Sequence, residues 1–175
     1  MTSQLKVDRI SPATGSEIII DGFESGGITS ASQWRLTTDF AGAVDPISSN
    51  LESVSSPLGP EMTQENGIFT FPEVGYWYVE AYADWTDDPA FSSLGRSRIY
   101  ISTTTNNSTY AVASSGWGGT YYIRSTGACS YIMNVTDVTQ CKVKFSVSQA
   151  TATVVTNGDT DFNDTFFTFI RLAGN

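Results

Sequence analysis

The chain has 175 residues, enough for one domain with a substantial core and a short appendage. Its hydrophobic fraction of 40% and aromatic fraction of 13% exclude a disordered chain, while charged residues, at 15%, fall well below the usual level and leave Ser and Thr to cover the surface. With 18 acidic and 9 basic residues the formal charge is −9, which disfavours nucleic acid and anionic membranes as partners, and no apolar run is long enough to cross a bilayer.

Residues 1–27 read as an N-terminal arm. Its opening, Met1-Thr-Ser-Gln-Leu-Lys-Val-Asp8, lacks a basic region followed by a long apolar run, so no secretory signal is expected. Leu5, Val7 and Ile10 alternate with polar neighbours; Ser11-Pro-Ala-Thr-Gly15 makes a turn, and Ile18 to Ile20 forms a second short run. Two such strands are marginal alone, so Leu5, Val7, Ile10, Ile18 and Ile20 are the candidate attachment residues for a docking surface or neighbouring copies. Glu24-Ser-Gly-Gly27 reads as a hinge, and residues 28–175 as the head.

From Gln33 onward short apolar runs alternate with Gly, Pro, Asn and Asp clusters. Strands are expected near 33–36, 67–71, 75–85, 97–102, 109–113, 120–124, 129–135, 141–147, 152–155 and 165–172. No stretch holds a 3.6-residue period, so the pattern predicts an all-β antiparallel sandwich nearly free of helix. Residues 40–65, with three prolines, are expected to wrap the surface as loop.

The run from Gly75 to Trp85 carries the most information. Trp77, Val79, Ala81 and Ala83 point one way, while Tyr76, Tyr78 and Tyr82 point the other. A half-buried strand alternates apolar with polar, so two apolar faces require two covers. The protomer's core supplies one, and a second copy of the chain is the natural candidate for the other. The run from Cys141 to Val147 alternates cleanly, with Val143, Phe145 and Val147 inward and Lys142, Lys144 and Ser146 outward.

Cys129 and Cys141 fall on two strands expected to pair about a turn at 136–139. That pairing sets Cys129 near Phe145 and Cys141 near Met133, so the sulfurs are out of register and two buried free thiols are expected.

The chain contains no histidine, which removes the commonest general base and metal ligand and every Ser-His-Asp or Cys-His arrangement. Asp87-Asp88, beside Pro89, reads as a solvated turn rather than a glycosidase pair. Asp159, Asp161 and Asn163 alternate as in a calcium loop, but the sixth and twelfth positions are Asp164 and Ile170, so the 157–164 segment fails as an EF-hand. No catalytic, cofactor or metal site is assigned. Ser115-Gly-Trp-Gly-Gly119 reads as a loop displaying Trp117, the one residue singled out for recognition.

Three motifs in order carry a resemblance. Gly67-Ile-Phe-Thr-Phe-Pro-Glu-Val-Gly-Tyr-Trp-Tyr-Val79 resembles the Gly-x-Phe-Thr lead, Pro-x-x-Gly turn and aromatic strand of complement C1q and tumour-necrosis-factor-like domains. Cys129 to Asp137 followed by Lys142 to Val147 resembles that family's strands around a Val-Gly-Asp turn, with Thr136 in place of the glycine. Asp161 to Leu172 is similar to its closing strand, Phe166 and Phe169 holding the aromatic places. The resemblance, over residues 33–173, implies a ten-stranded jelly roll that assembles as a homotrimer with Tyr76, Tyr78, Tyr82 and Phe166 at the seam. Some relatives bind calcium near the trimer apex, which keeps a non-helical site at 157–164 open.

The arm resembles a segment at the start of small bacteriophage virion proteins. Together these imply a non-enzymatic virion surface protein: a capsid decoration trimer attached through its arm to the major capsid protein or another virion protein. The alternatives are a fibre tip that binds a host glycan or protein, and a secreted ligand of the C1q/TNF type.

Overall fold

The computed structural model describes residues 27–54, 56–86, 95–120, 124–149 and 151–174. Twelve strands and no helix occur among them: β1 (Ala31–Leu36), β2 (Phe40–Ala41), β3 (Leu51–Ser53), β4 (Thr63–Glu65), β5 (Ile68–Thr70), β6 (Gly75–Thr86), β7 (Gly95–Thr104), β8 (Ala111–Thr120), β9 (Arg124–Val135), β10 (Lys142–Ser148), β11 (Val155–Thr156) and β12 (Phe166–Ala173).

Every named pair is antiparallel. One sheet runs β9-β6-β12-β1-β3, with β11 replacing β12 beside the last residues of β6 and β2 lying outside β11. The other runs β4-β5-β10-β7-β8. The two sheets close on one core, which gives the all-β jelly-roll sandwich the sequence implies.

That core is aromatic where the sheets meet. Phe69 of β5 and Phe145 of β10 face Phe167 and Phe169 of β12; the Phe145 and Phe167 rings stack at 3.9 Å and 4°. Trp34 of β1 closes on Phe69 edge-on at 5.5 Å, and Phe71 packs on Trp77. Such pairs add about 0.5–1.5 kcal/mol each beyond the area they bury. The inward set read from β6 is fully buried, as are Val143 and Phe145, with Val147 3% exposed.

Several expectations are corrected. The 40–65 segment is not plain loop, because three short strands within it cap sheet edges: β2 on β11, β3 on β1 and β4 on β5. β9 and β10 do not pair; β9 lies on β6 and β10 on β5 and β7, so residues 136–141 cross between sheets instead of turning a hairpin. Cys129 and Cys141 therefore belong to opposite layers; both are free thiols, as expected though for a different reason, but only Cys141 is buried and Cys129 is half-buried. On the outward side of β10, Lys142 and Ser146 are covered, and Lys142 Nζ donates to the Val138 carbonyl at 2.7 Å and to Thr70 Oγ1 at 3.0 Å.

The glycine-rich segment is strand, not loop, and its glycines answer to Trp85. A Cβ on Gly118 or Gly127 would stand 2.6 or 2.8 Å from the Trp85 ring, and one on Gly116 would stand 2.0 Å from the Ala128 carbonyl oxygen. Here β8 and β9, from different sheets, approach too closely for side chains. At Gly119 a Cβ would meet nothing within 4 Å. Gly116→Ala should therefore lower stability by about 1–3 kcal/mol through overpacking, while Gly119→Ala should leave the urea midpoint unchanged. Equal midpoints for the two variants would contradict the close approach of β8 to β9.

Candidate functional site

The outer face of the β9-β6-β12-β1-β3 sheet gathers the four residues read as a seam. Register sets Tyr82 opposite Phe166, with their rings stacked at 5.1 Å and 20°. Tyr78 lies opposite Ile170 on one side and Ile132 on the other, and Tyr76 lies opposite Asn134. Tyr76 is 43% exposed and Ile132 56%, while Tyr78, Tyr82, Phe166 and Ile170 are half-buried. Glu80, between the tyrosines, is half-buried with no ion-pair partner among the described residues.

Ile132 and Ile170 escaped the sequence reading. Ile132 was paired with the wrong strand, and only its true partner, β6, brings it beside Tyr78. Ile170 does follow from the period of two that places Phe166 outward. At one margin of this face a cleft of about 330 Å³ opens among Ala31, Gln33, Val54, Leu58, Thr168 and Ile170.

Polar contacts frame the face. Gln33 Nε2 donates to Thr168 Oγ1 at 2.9 Å, and Asn163 Nδ2 donates to Gln33 Oε1 at 2.7 Å. Arg35 pairs with Glu52 at 2.6 Å. At the far end of β6 the buried Asp84 carboxylate accepts from Arg124 Nε at 2.6 Å, and Arg124 Nη2 reaches Asp164 at 2.7 Å. The Asp84 hydrogen bond and charge raise the Arg124 pKa further. Asp164 is held above its ordinary carboxylate value, chiefly by burial, with Asp84 and Asp159 adding to the shift and Arg124 opposing it.

The other singled-out positions are scattered. In the 157–164 loop Asp159 Oδ1 accepts from the backbone of Asp161 and Phe162, which makes a local turn, and Gly158 donates to Asp39. No group of three metal-ligating side chains occurs among the described residues. Trp34 and Trp85 belong to the core, with Trp34 half-buried. Trp117 is 57% exposed on β8, with the Arg98 guanidinium 4.5 Å from its ring centroid. Leu5, Val7, Ile10, Ile18, Ile20 and Asp87-Asp88 lie outside the described residues.

No family model matches the sequence, and neither does any curated protein. Solved structures do match the fold. An Eiger TNF from S. frugiperda aligns with a TM-score of 0.64 at 12% identity, over 85% of this chain and 96% of that one. The globular domain of zebrafish complement 1qA protein aligns at 0.57 and 14%, over 84% and 99%. Murine APRIL at pH 5.0 aligns at 0.58 and 8%, over 82% and 98%. The fold is thus the C1q/TNF-like jelly roll.

Asp164 supplies a test with a defined sign. Its raised pKa means that protonation favours the fold: the contribution is complete below the unfolded value of about 3.8 and is lost as pH rises through the higher folded value. Asp164→Asn should flatten this part of the thermal midpoint's pH profile in calorimetry. A profile identical to the parent's would contradict the placement.

Proposed function

We propose that this protein is a non-enzymatic, self-associating head that forms a homotrimer on the surface of a bacteriophage particle. The observation that carries the reading is the aromatic outer face of the β6 sheet. Tyr76, Tyr78, Tyr82 and Phe166, extended by Ile132 and Ile170, make an aromatic and apolar surface crossed by one polar row, Ser130, Glu80 and Thr168, and exposed surface of this kind marks an association site. Obligate interfaces bury about 2,000–5,000 Å² in all and are more apolar than transient ones. The cleft beside Ile170 offers a neighbour a socket at the edge of the same face.

Asn134 bears on where the chain is made. It heads an Asn-Val-Thr acceptor triplet and stands exposed opposite Tyr76. A glycan there would stand on the seam and bar association, which disfavours the secreted-ligand reading. The net charge of −9, the hydroxyl-rich surface and the arm's resemblance to phage virion segments support a particle surface. On this reading Leu5, Val7, Ile10, Ile18 and Ile20 grip the major capsid protein and the trimer decorates the shell. The exposed Trp117 favours a second reading, a fibre tip that contacts the host.

Light scattering of the full chain should return a trimer. Tyr78→Asp should yield monomers or aggregate, whereas Thr105→Asp, on an exposed loop, should not. An intact Tyr78→Asp trimer would refute the seam, and a stable lone subunit of the parent would refute the assembly. Hundreds of copies per particle by quantitative gel would place the protein on the shell; a few tens or fewer would place it on a fibre.

A further inference from the structure

All 18 acidic residues lie outside positions 89–136, although Arg96, Arg98 and Arg124 lie within them. The β7-β8 pair is therefore an acid-free, base-bearing platform on a chain of formal charge −9. On its outward face Arg98 sits between two rings, 4.7 Å from the Tyr100 centroid and 4.5 Å from that of Trp117. Arg98 Nη2 also donates to Ser115 Oγ, which fixes the guanidinium under the indole. Cation–π contacts of this kind hold a ring in place at little cost. The Trp117 side chain is thus both presented and immobilised.

Beside it, among the described residues, the surface is bare. Register sets Arg96 opposite Gly119, and a Cβ on Gly119 would meet nothing within 4 Å. Arg96, Trp117, Gly118 and Gly119 line a cleft of about 270 Å³, open to solvent. Arg96 is exposed and has no acidic partner among the described residues. Elsewhere on this sheet the cations are engaged, Lys142 by Val138 and Thr70 and Lys144 by Asp45. The cleft therefore offers an indole wall, a backbone floor and a guanidinium unpaired among the described residues.

We infer that this cleft binds a carboxylated sugar, the pyranose ring lying against Trp117 over Gly118 and Gly119 and its carboxylate taken by Arg96. A cleft with an apolar or aromatic lining and a few well-placed polar groups is the usual design of a small-ligand site, and a guanidinium fork matches a carboxylate in two parallel hydrogen bonds. A nucleic acid strand would also stack and pair, but it needs several phosphate contacts, and the chain's overall charge opposes a polyanion. The site lies on the opposite sheet from the proposed seam and does not depend on it.

The test titrates the full chain with hyaluronan tetrasaccharide, alginate tetrasaccharide and sialyllactose, following tryptophan fluorescence and calorimetric heat. Maltotetraose and the oligonucleotide dT4 serve as comparators. At least one carboxylated sugar binds, and added salt weakens it. Arg96→Ala and Trp117→Ala each weaken it at least about tenfold, as expected for losing a charge-assisted hydrogen bond or the stacking wall. Gly119→Phe fills the cleft and abolishes binding, while its oligomeric state and thermal midpoint match the parent's. No binding of any carboxylated sugar overturns the assignment, as does binding that survives Gly119→Phe. Equal affinity for maltotetraose, or preference for dT4, overturns the ligand class. Sizing results bear on the seam and not on this cleft, so the two proposals fail separately.

Discussion

The rings of Phe145 and Phe167, one from each sheet, stack face to face at 3.9 Å, and the architecture depends on that clasp. Phe69 and Phe169 widen it into a four-ring cluster spanning β5, β10 and β12. Because these strands spend their inward positions on the clasp, every alternate residue is turned outward. The outer faces are therefore determined by what fastens the inner ones. On β12 this sends Phe166, Thr168 and Ile170 out beside the tyrosines of β6, so the surface proposed for self-association follows from the core by the period of two.

Where the sequence was legible, a strong period was present. The division of β6 into a buried Trp77 face and a Tyr78 face could be read directly, and so could the inward set of β10. What misled was the meaning of turn residues. Val135-Thr-Asp137 followed by Thr139 suits a hairpin, yet a crossing between sheets needs the same residue types, and the side-chain pattern does not say which sheet a strand joins. That ambiguity hid Ile132. The glycines around Trp117 misled for another reason. Glycine is poor in strands unless a neighbour demands its bareness, and the demand comes from Trp85 and Ala128, both remote in sequence. Strands of two or three residues, such as β2 to β4, are too short to show any period.

The two outer surfaces differ in chemistry as well as position. One carries tyrosines and isoleucines with charges of both signs, largely paired as Arg35–Glu52 and Arg124 with Asp84 and Asp164; the other carries the cations Arg96, Arg98, Lys142 and Lys144 among Tyr100, Tyr110 and Trp117. Acids cluster in the remaining loops and the arm. Such segregation is invisible in the net charge of −9, which describes the average and not the β7-β8 surface. Partner exclusion argued from total charge holds for long polyanions, whose phosphates average over the whole molecule. It does not hold for a small acid that meets the guanidinium of the β7-β8 cleft, unpaired among the described residues.

Glu80, without an ion-pair partner among the described residues, stands amid the tyrosines of β6. A greasy surface without it would tolerate many docking angles, since apolar contact has no direction. Sealing a carboxylate away from water with nothing to receive it is costly, so most of those angles are penalised. Only an arrangement that brings a donor to that one point escapes the penalty. On the proposed assembly the acid would work as a ward in a lock, lowering the grip slightly while rejecting misaligned copies.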